Sequence, residues 1–370
     1  MGLITRDIGI LGMGLWEGEP VTNDYFGARL AAAEVNDPYK GRRAADGTIR
    51  VAGLEFTPES HPRTVAAIAH AFTDPFRGTR RRRFFPRDLR VSDAETEAAR
   101  KAIADAGLQP SDIDAVLVQS FLPDELHPKN AALICHNLGI QRALSWEVDT
   151  ICNSSITQLM SGSSLLMSGF ARHVLCVQSV AYSRVTDPTS SSTVQEADMA
   201  SAFVLGPSPG TRMAFGWRTD GSLHAAIKLH WAPPSGAKKR RWWESAPEGL
   251  YIDFDPELQA QLMGQIIKNA PIVCAEALER GEMTREDVEV FITHQATYWQ
   301  SSLMEDVLGL KPGAGFEMFE EYANINSAGI PASVFHALKA GKISKGSKVL
   351  LFGPAAGYTY AAAAIHWGNS

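Results

Sequence analysis

Ser111-Asp112-Ile113-Asp114-Ala115-Val116-Leu117-Val118 is answered in the second half of the chain by Glu286-Asp287-Val288-Glu289-Val290-Phe291-Ile292. Each is a short acidic turn followed by an apolar run of the kind that buried parallel strands show. The segments before them also correspond. Ser92-Asp93-Ala94-Glu95 has the capping-box pattern, Ala99, Ile103 and Ala106 follow at helical spacing, and Gly107 stops the run. Ahead of the second copy, Ile272, Val273, Ala277 and Leu278 lead to Gly281. A further unit repeats in the same order. Asn153 through Gly169 reads as a small-residue helix leading to the strand Val174-Leu175-Cys176-Val177, and Ser327 through Gly341 reads likewise ahead of Val349-Leu350-Leu351-Phe352. Pro207-Ser208-Pro209-Gly210 has the composition of a junction, dividing the chain into halves of residues 1–208 and 209–370. If the halves pack about a pseudo-twofold axis, the helix start after Cys152 is matched by the one after Asn324. Helix-strand alternation is common in α/β proteins, so spacing alone leaves duplication open.

The chain has 370 residues, 45% of them apolar, enough for a large core or two joined domains and too apolar for a disordered chain. No apolar run reaches the length of a membrane helix, and Met-Gly-Leu-Ile-Thr-Arg-Asp at the N-terminus lacks the pattern of a secretory signal. The expectation is a soluble, cytoplasmic protein that binds no membrane. Cys135, Cys152, Cys176 and Cys274 show neither a CxxC pair nor metal spacing, so no disulfide framework and no metal site is expected. A net charge of -6 argues against a general affinity for nucleic acid.

Three residues stand where chemistry is usually placed. Cys152 follows Trp146-Glu147-Val148-Asp149-Thr150, a strand end, and precedes a helix opening with Asn153-Ser154-Ser155. Free amides and the dipole of a helix start stabilise a thiolate, the form that attacks acyl carbons. A buried cysteine is more often an inert small hydrophobe, the reading favoured for Cys135, Cys176 and Cys274. His294 ends the strand Val290-Phe291-Ile292-Thr293, at the end where α/β proteins place ligand-binding groups. Asn324 lies in Tyr322-Ala323-Asn324-Ile325-Asn326-Ser327-Ala328-Gly329, where small residues leave room for close backbone approach. An ordinary loop histidine and an ordinary turn would look similar.

Together these residues resemble the ketoacyl-ACP synthase III branch of the thiolase superfamily, over roughly Ile8 to Trp367. The likeness rests on His294-Gln295-Ala296, the Tyr-Ala-Asn-Ile-Asn-Ser-Ala-Gly-Ile-Pro stretch ending at Pro331, and Leu351-Phe352-Gly353-Pro354-Ala355-Ala356-Gly357-Tyr358-Thr359. Asp187-Pro188-Thr189, Leu138-Gly139-Ile140 and the Cys152 context fall in the same order. The resemblance implies a duplicated thiolase fold, five-layered α-β-α-β-α with pseudo-twofold halves, the first carrying the nucleophilic cysteine and the second the histidine and asparagine.

It further implies that Cys152 is acylated and that His294 and Asn324 hold the thioester oxygen of a second substrate while decarboxylation of a malonyl-type unit leaves an enolate. The backbone amides of Cys152 and Ala356 would form the oxyanion hole. No permanent cofactor is implied. Coenzyme A or phosphopantetheine carries the acyl groups, with Arg184 and, more loosely, Arg77 matching positions that grip them. An acyl-CoA or acyl-ACP donor, a malonyl-type thioester or small-molecule acceptor, an acyl carrier protein and a second copy of the chain are the expected partners. Arg80 to Arg83, and Lys238-Lys239-Arg240-Arg241 beside Trp242 and Trp243, are candidate docking places for the carrier.

The departures from the family point to a reshaped pocket. Asn-Thr-Ser-Ala-Ala is here Asn324-Ile325-Asn326-Ser327-Ala328, and Gly-Asp-Gly-Ala-Gly is Ala197-Asp198-Met199-Ala200-Ser201. Ala355 and Ala356 stand for glycines, Tyr298 and Trp299 stand where an arginine is usual, and residues from about Lys40 to Phe72 have no clear counterpart. A role in polyketide or related secondary metabolism is therefore expected over the initiation of fatty-acid synthesis. The alternatives are an acyltransferase that hands the Cys152 acyl group to a hydroxyl or amine, with His294 as base, and a non-catalytic thiolase-fold partner subunit.

Overall fold

The computed structural model describes residues 4–27, 44–51, 54–186, 193–231 and 250–368. Asp187-Pro188-Thr189 and the segment from Lys238 to Trp243 lie outside these residues. In chain order the strands are β1 (Ile4–Glu17), β2 (Glu19–Thr22), β3 (Ile49–Val51), β4 (Leu54–Phe56), β5 (Arg81–Phe84), β6 (Ala115–Ser120), β7 (Leu144–Glu147), β8 (Val174–Ala181), β9 (Asp198–Thr219), β10 (Ile227–Trp231), β11 (Leu250–Phe254), β12 (Val290–Thr293), β13 (Lys348–Ala355) and β14 (Thr359–His366). The α-helices are α1 (Pro62–Thr73), α2 (Val91–Asp105), α3 (Ala131–Leu138), α4 (Ser154–Met167), α5 (Pro256–Arg280), α6 (Gln300–Leu308), α7 (Phe319–Tyr322) and α8 (Gly329–Lys339). None of the described helices is long and apolar enough to cross a membrane.

Successive side chains of a strand point to opposite faces, and here that alternation sorts residues into three cores. Val116 and Val118 of β6, with Leu175 and Val177 of β8, pack against α2 and α3. Leu117 and Cys176 face the other way, toward Ile156 and Leu159 of α4. That central core continues through Val334 of α8 to Ile292, Leu351 and Ala363. Phe291, Phe352 and Ala362, on the far face of those strands, meet α5 and α6 at Val273 and Leu303. Three cores between helices and sheet give five layers, α-β-α-β-α. Strands covered on both sides are apolar on both faces, which is why β6 and β8 open as the apolar runs Ala115 to Val118 and Val174 to Val177.

The strand order is β12-β13-β14-β9-β8-β6-β7, with β1 lying along β9. β9 serves both halves. Its first part pairs with β8, from Asp198 opposite Ala181 to Leu205 opposite Val174. Its last part pairs with β14, from Arg212 opposite His366 to Thr219 opposite Thr359. Pro207 to Gly210, whose composition suggests a junction, stay within this strand at the change of partners, with Gly210 at φ +81°.

The repeated acidic turns are the same structure twice. Each is a single 3-10 turn with a reciprocal cap: the Gln109 amide donates to Asp112 Oδ2 and the Thr284 amide to Asp287 Oδ2, both at 2.8 Å. Ser92 and Glu95, by contrast, do not cap one another. Asp124 accepts from the Ser92 amide and hydroxyl at the start of α2 (3.3 and 2.5 Å), and Glu95 turns into the core. There its carboxyl accepts from Ser120, Ser179 and Asn130, and burial pushes its pKa up to about 7. The β3-β4 hairpin and α1 extend the outer core on the β12 side through Ile49, Phe56, Ile68 and Ala71. Thr64 donates to Asp306 of α6 at 2.5 Å, and Arg63 pairs with Glu305.

Helix α2 lies close on β1 because Gly12 and Gly14 have no side chain there; a Cβ at Gly14 would stand 2.2 Å from the Ala98 carbonyl oxygen. Gly14→Ala is therefore expected to destabilise the protein by about 1–3 kcal/mol, the usual cost of overpacking a core. Denaturant unfolding checks it, and an unchanged midpoint would mean that α2 moves off the strand freely.

Candidate functional site

Cys152 sits in a 3-10 turn, Ile151–Asn153, that leads directly into α4. The turn opens with Ile151 at φ +56°, a region that β-branched residues rarely enter, so the surroundings must hold it there. They do so from both sides. Asp149 accepts from the Ile151 amide and Ser154 Oγ from the Thr150 amide, each at 2.8 Å. The Asn153 side chain donates across to Gly353 O (3.0 Å) of β13 and Thr359 O (3.2 Å) of β14. Gly353 is glycine for this reason, since a Cβ there would stand 2.6 Å from that of Asn153.

The second half builds the same turn. Asn326, at φ +46°, opens the 3-10 turn Asn326–Ala328, which leads into α8. The pseudo-equivalent of Cys152 is thus Ser327, whose hydroxyl donates to Gln119 at the end of β6. The two turns pack against each other. Asn324 stands just before, after Ala323 at φ +56°. Its backbone is clasped by the chain before β9: its amide donates to Gln195 O at 2.8 Å and its carbonyl accepts from the Ala197 amide at 3.0 Å. Its Oδ1 accepts from the Asn326 amide at 3.0 Å.

His294 follows β12, its amide donating to Phe352 O at 3.0 Å. The ring is 4% exposed, and a hydrogen bond ties it to the backbone of Asn326. Burial outweighs that bond and lowers its pKa to about 4, so the ring is neutral at ordinary pH. The half-buried thiol of Cys152 is pushed up to about 12 by burial. Hydrogen bonds from the backbone amides of Ala356 and of Cys152 itself pull the other way without overcoming it. The thiolate expected from the helix start is thus not the resting form, because desolvation outweighs the amides.

Chain order gave no sign of Tyr182, the residue that joins these groups. It opens the 3-10 turn directly after β8, and its buried hydroxyl accepts from Asn326 Nδ2 at 2.6 Å. It also bonds the Asn324 side chain and feels the charge of Cys152 and Glu196, while burial raises its pKa. Its position at a strand's carboxyl end, the rule that singles out His294, was the available signal.

The arginines fall differently. Arg184 is exposed and donates to Leu89 O. Arg77 is buried, its guanidinium 5.6 Å from the Phe72 ring centre. Arg80, Arg81 and Arg83 each have a carboxylate partner in Glu320, Glu321 and Glu17. Arg82 is fully buried over Phe26, donates to Val194 O at 2.7 and 3.1 Å, and has its pKa lowered to about 10 by burial. Arg82 thereby braces the segment before β9 that holds Asn324, while Arg80 and Arg81 stay exposed at the surface.

Comparison with known proteins agrees with this architecture. The C-terminal model of 3-oxoacyl-[acyl-carrier-protein (ACP)] synthase III matches residues 278–367, and the companion model of 3-oxoacyl-[acyl-carrier-protein (ACP)] synthase III matches residues 146–221. Beta-ketoacyl-[acyl-carrier-protein] synthase III 3 of Streptomyces coelicolor is 31% identical over 287 residues, covering 75% of this chain and 83% of that protein. Among solved structures, the synthase III of Thermus thermophilus superposes with a TM-score of 0.76 at 24% identity, over 98% of this chain and 100% of that one. OleA of Xanthomonas campestris does so at 0.76 and 19%, over 99% and 98%. At such identities the structural matches speak for the fold.

His294 should titrate near pH 4 in the folded protein. Its unfolded value is about 6.5, so the unfolded state takes up the proton first, and the stability that the neutral ring contributes is lost as pH falls from about 6.5 to about 4. A side-chain NMR titration of His294 checks this; a midpoint near 6.5 would mean that the ring is solvated.

Proposed function

The chain belongs to the 3-oxoacyl-[acyl-carrier-protein] synthase III family of the thiolase superfamily, and from that premise we propose that it loads an acyl group from a thioester onto Cys152 and condenses it with a decarboxylating malonyl-type thioester. The observation that carries the reading is the pair of backbone amides, from Cys152 and Ala356, that converge on the thiol. Donors that reach the sulfur are placed to meet the oxyanion that forms when a thioester carbonyl binds there. The Cys152 thiol attacks that carbonyl, the carbon-sulfur bond of the donor breaks, and the departing thiolate takes up the proton that Cys152 gives away. In the second step His294 and Asn324 serve as neutral donors to the enolate oxygen left by loss of carbon dioxide, and the enolate carbon displaces Cys152.

The neutrality of His294 favours condensation over direct transfer to a hydroxyl or amine. A group whose conjugate acid has a pKa of about 4 is a poor acceptor for such a proton, but as a neutral imidazole it still offers an N–H. Arg184, exposed near the end of β8, is the better placed of the two arginines to meet a pantetheine phosphate, from coenzyme A or an acyl carrier protein. A pocket altered at Asn326, Ala355 and Ala356 supports specialised rather than housekeeping chemistry, of the polyketide type. The halves divide near 208/209, where β9 changes partners. A homodimer is supported by β7, whose outer edge has no strand partner among the described residues, and by Leu144 exposed on that strand.

Cys152→Ala should abolish both the acyl adduct and turnover. Asn324→Ala should still acquire the adduct but lose about 10²–10³ in condensation rate, the usual cost of one oxyanion donor. Peptide mass spectrometry of the adduct and release of labelled carbon dioxide from malonyl thioester separate the two steps. Turnover by the Cys152→Ala protein would sink the assignment, and adduct passed to a hydroxyl or amine without carbon dioxide release would replace condensation by acyl transfer.

A further inference from the structure

Both groups assigned to the second step lean on Asn326, which is 1% exposed. Its backbone amide donates to Asn324 Oδ1 at 3.0 Å, and its own Oδ1 accepts from the Ser327 amide at 2.7 Å. A hydrogen bond joins its backbone to the His294 ring. A backbone amide can only donate, so the Asn324 atom that faces it is the carboxamide oxygen, and the Nδ2 group is left as the end that can donate elsewhere. Any shift of Asn326 therefore disturbs Asn324 and His294 together.

Tyr182 is what reaches the Asn326 side chain from the other half. Asn326 Nδ2 donates to its hydroxyl at 2.6 Å, and the same hydroxyl bonds the Asn324 side chain. The ring that carries the hydroxyl is 7% exposed, meets Phe121 edge-on with centroids 5.0 Å apart, and lies in one core with Met199, Ala323 and Ile325. It is a rigid post. The serine usual in the family at the place of Asn326 falls one bond short of it, so this strut is the chain's own.

The amides that meet the thioester in the first step are held by different contacts. Asp149 and Ser154 fix the Cys152 turn, and Asn153 ties that turn to Gly353 and Thr359, on either side of Ala356. Neither Tyr182 nor Asn326 takes part in them.

We propose that Tyr182 is a positioning residue for the condensation step: through Asn326 it sets the Asn324 carboxamide and the His294 ring toward the enolate oxygen, while acylation of Cys152 proceeds without it. The inference rests on the condensation reading of the site. It divides the bracing of the chamber in two, one set of contacts for each half-reaction.

The test compares the native full-length protein with Tyr182→Phe, Asn326→Ser and the double variant. Tyr182→Phe keeps the ring and removes the hydroxyl, and thermal melting confirms that each variant is folded. Cys152 acylation is followed by intact mass, with the acyl-CoA that labels it fastest in a panel from acetyl-CoA to dodecanoyl-CoA. The kcat and KM of the second step come from release of labelled carbon dioxide from malonyl-CoA or malonyl-ACP. Each single variant should acylate within about twofold of the native rate and lose about 10–100-fold in kcat with KM little changed, the pattern of lost alignment in the transition state. The double variant should be no slower than the slower single one, because both break the same bond. Native kcat in Tyr182→Phe, equal slowing of both steps, or losses that multiply in the double variant overturn the inference while the condensation reading stands. No carbon dioxide release by the acylated native protein overturns that reading and this inference with it, and no adduct from any donor overturns the nucleophile assignment as well.

Discussion

Strand β9 is shared. With its first part paired to β8 and its last part to β14, and with β1 lying along both, the two halves cannot be moved relative to one another without breaking a continuous ladder. Cys152 comes from one half, and His294 and Asn324 from the other. Their separation is therefore fixed by backbone hydrogen bonds in the middle of the molecule, before any side chain of the site is considered. The central helices α4 and α8 fill the space that this ladder defines, each entering it through a 3-10 turn whose first residue has positive φ.

Those turns are where the chain departs from comfortable geometry. Ile151, Ala323 and Asn326 all lie in the left-handed region, and all three adjoin the site. Strain of this kind persists only where the surroundings over-determine it. Here the restraints are visible: Asn153 anchored to Gly353 and Thr359, Asn324 clasped by Gln195 and Ala197, and Arg82 buried to hold the Val194 carbonyl next to that clasp. A fully buried arginine is costly to desolvate. Its three hydrogen bonds and the Phe26 face under it compensate, and the outcome is a fixed main chain beside Asn324.

Much of the architecture was legible in the residues. The acidic turns at Asp112 and Asp287, the helices after Cys152 and Ser327 and the strands they lead to all stand where periodicity puts them, because strands covered on both faces and helices packed on all sides leave strong patterns. Membership of the family was legible from the His294, Asn324 and Gly357 motifs. What escaped was set by long-range packing. The pattern Ser92 to Glu95 looks like a cap, but Asp124, brought in by the loop after β6, takes that role and frees Glu95 for the core. The arginines at 80–83 read alike in the sequence, but Arg82 is buried against Val194 while Arg80 and Arg81 stay at the surface beside Glu320 and Glu321. Tyr182 carried no motif, and its part in the site depends on Asn326, far along the chain. The pKa of Cys152 depended on burial, which helix position alone does not reveal.

Ser327, in the place that Cys152 occupies in the other half, bears on ancestry. A chain that folds one unit twice starts with two equivalent turns facing each other, each able to carry a nucleophile. The two are no longer alike: one holds Cys152, and in the other the Ser327 hydroxyl is a strut between the halves, bonded to Gln119. One turn geometry, built twice, thus carries a thiol in one half and a structural hydrogen bond in the other.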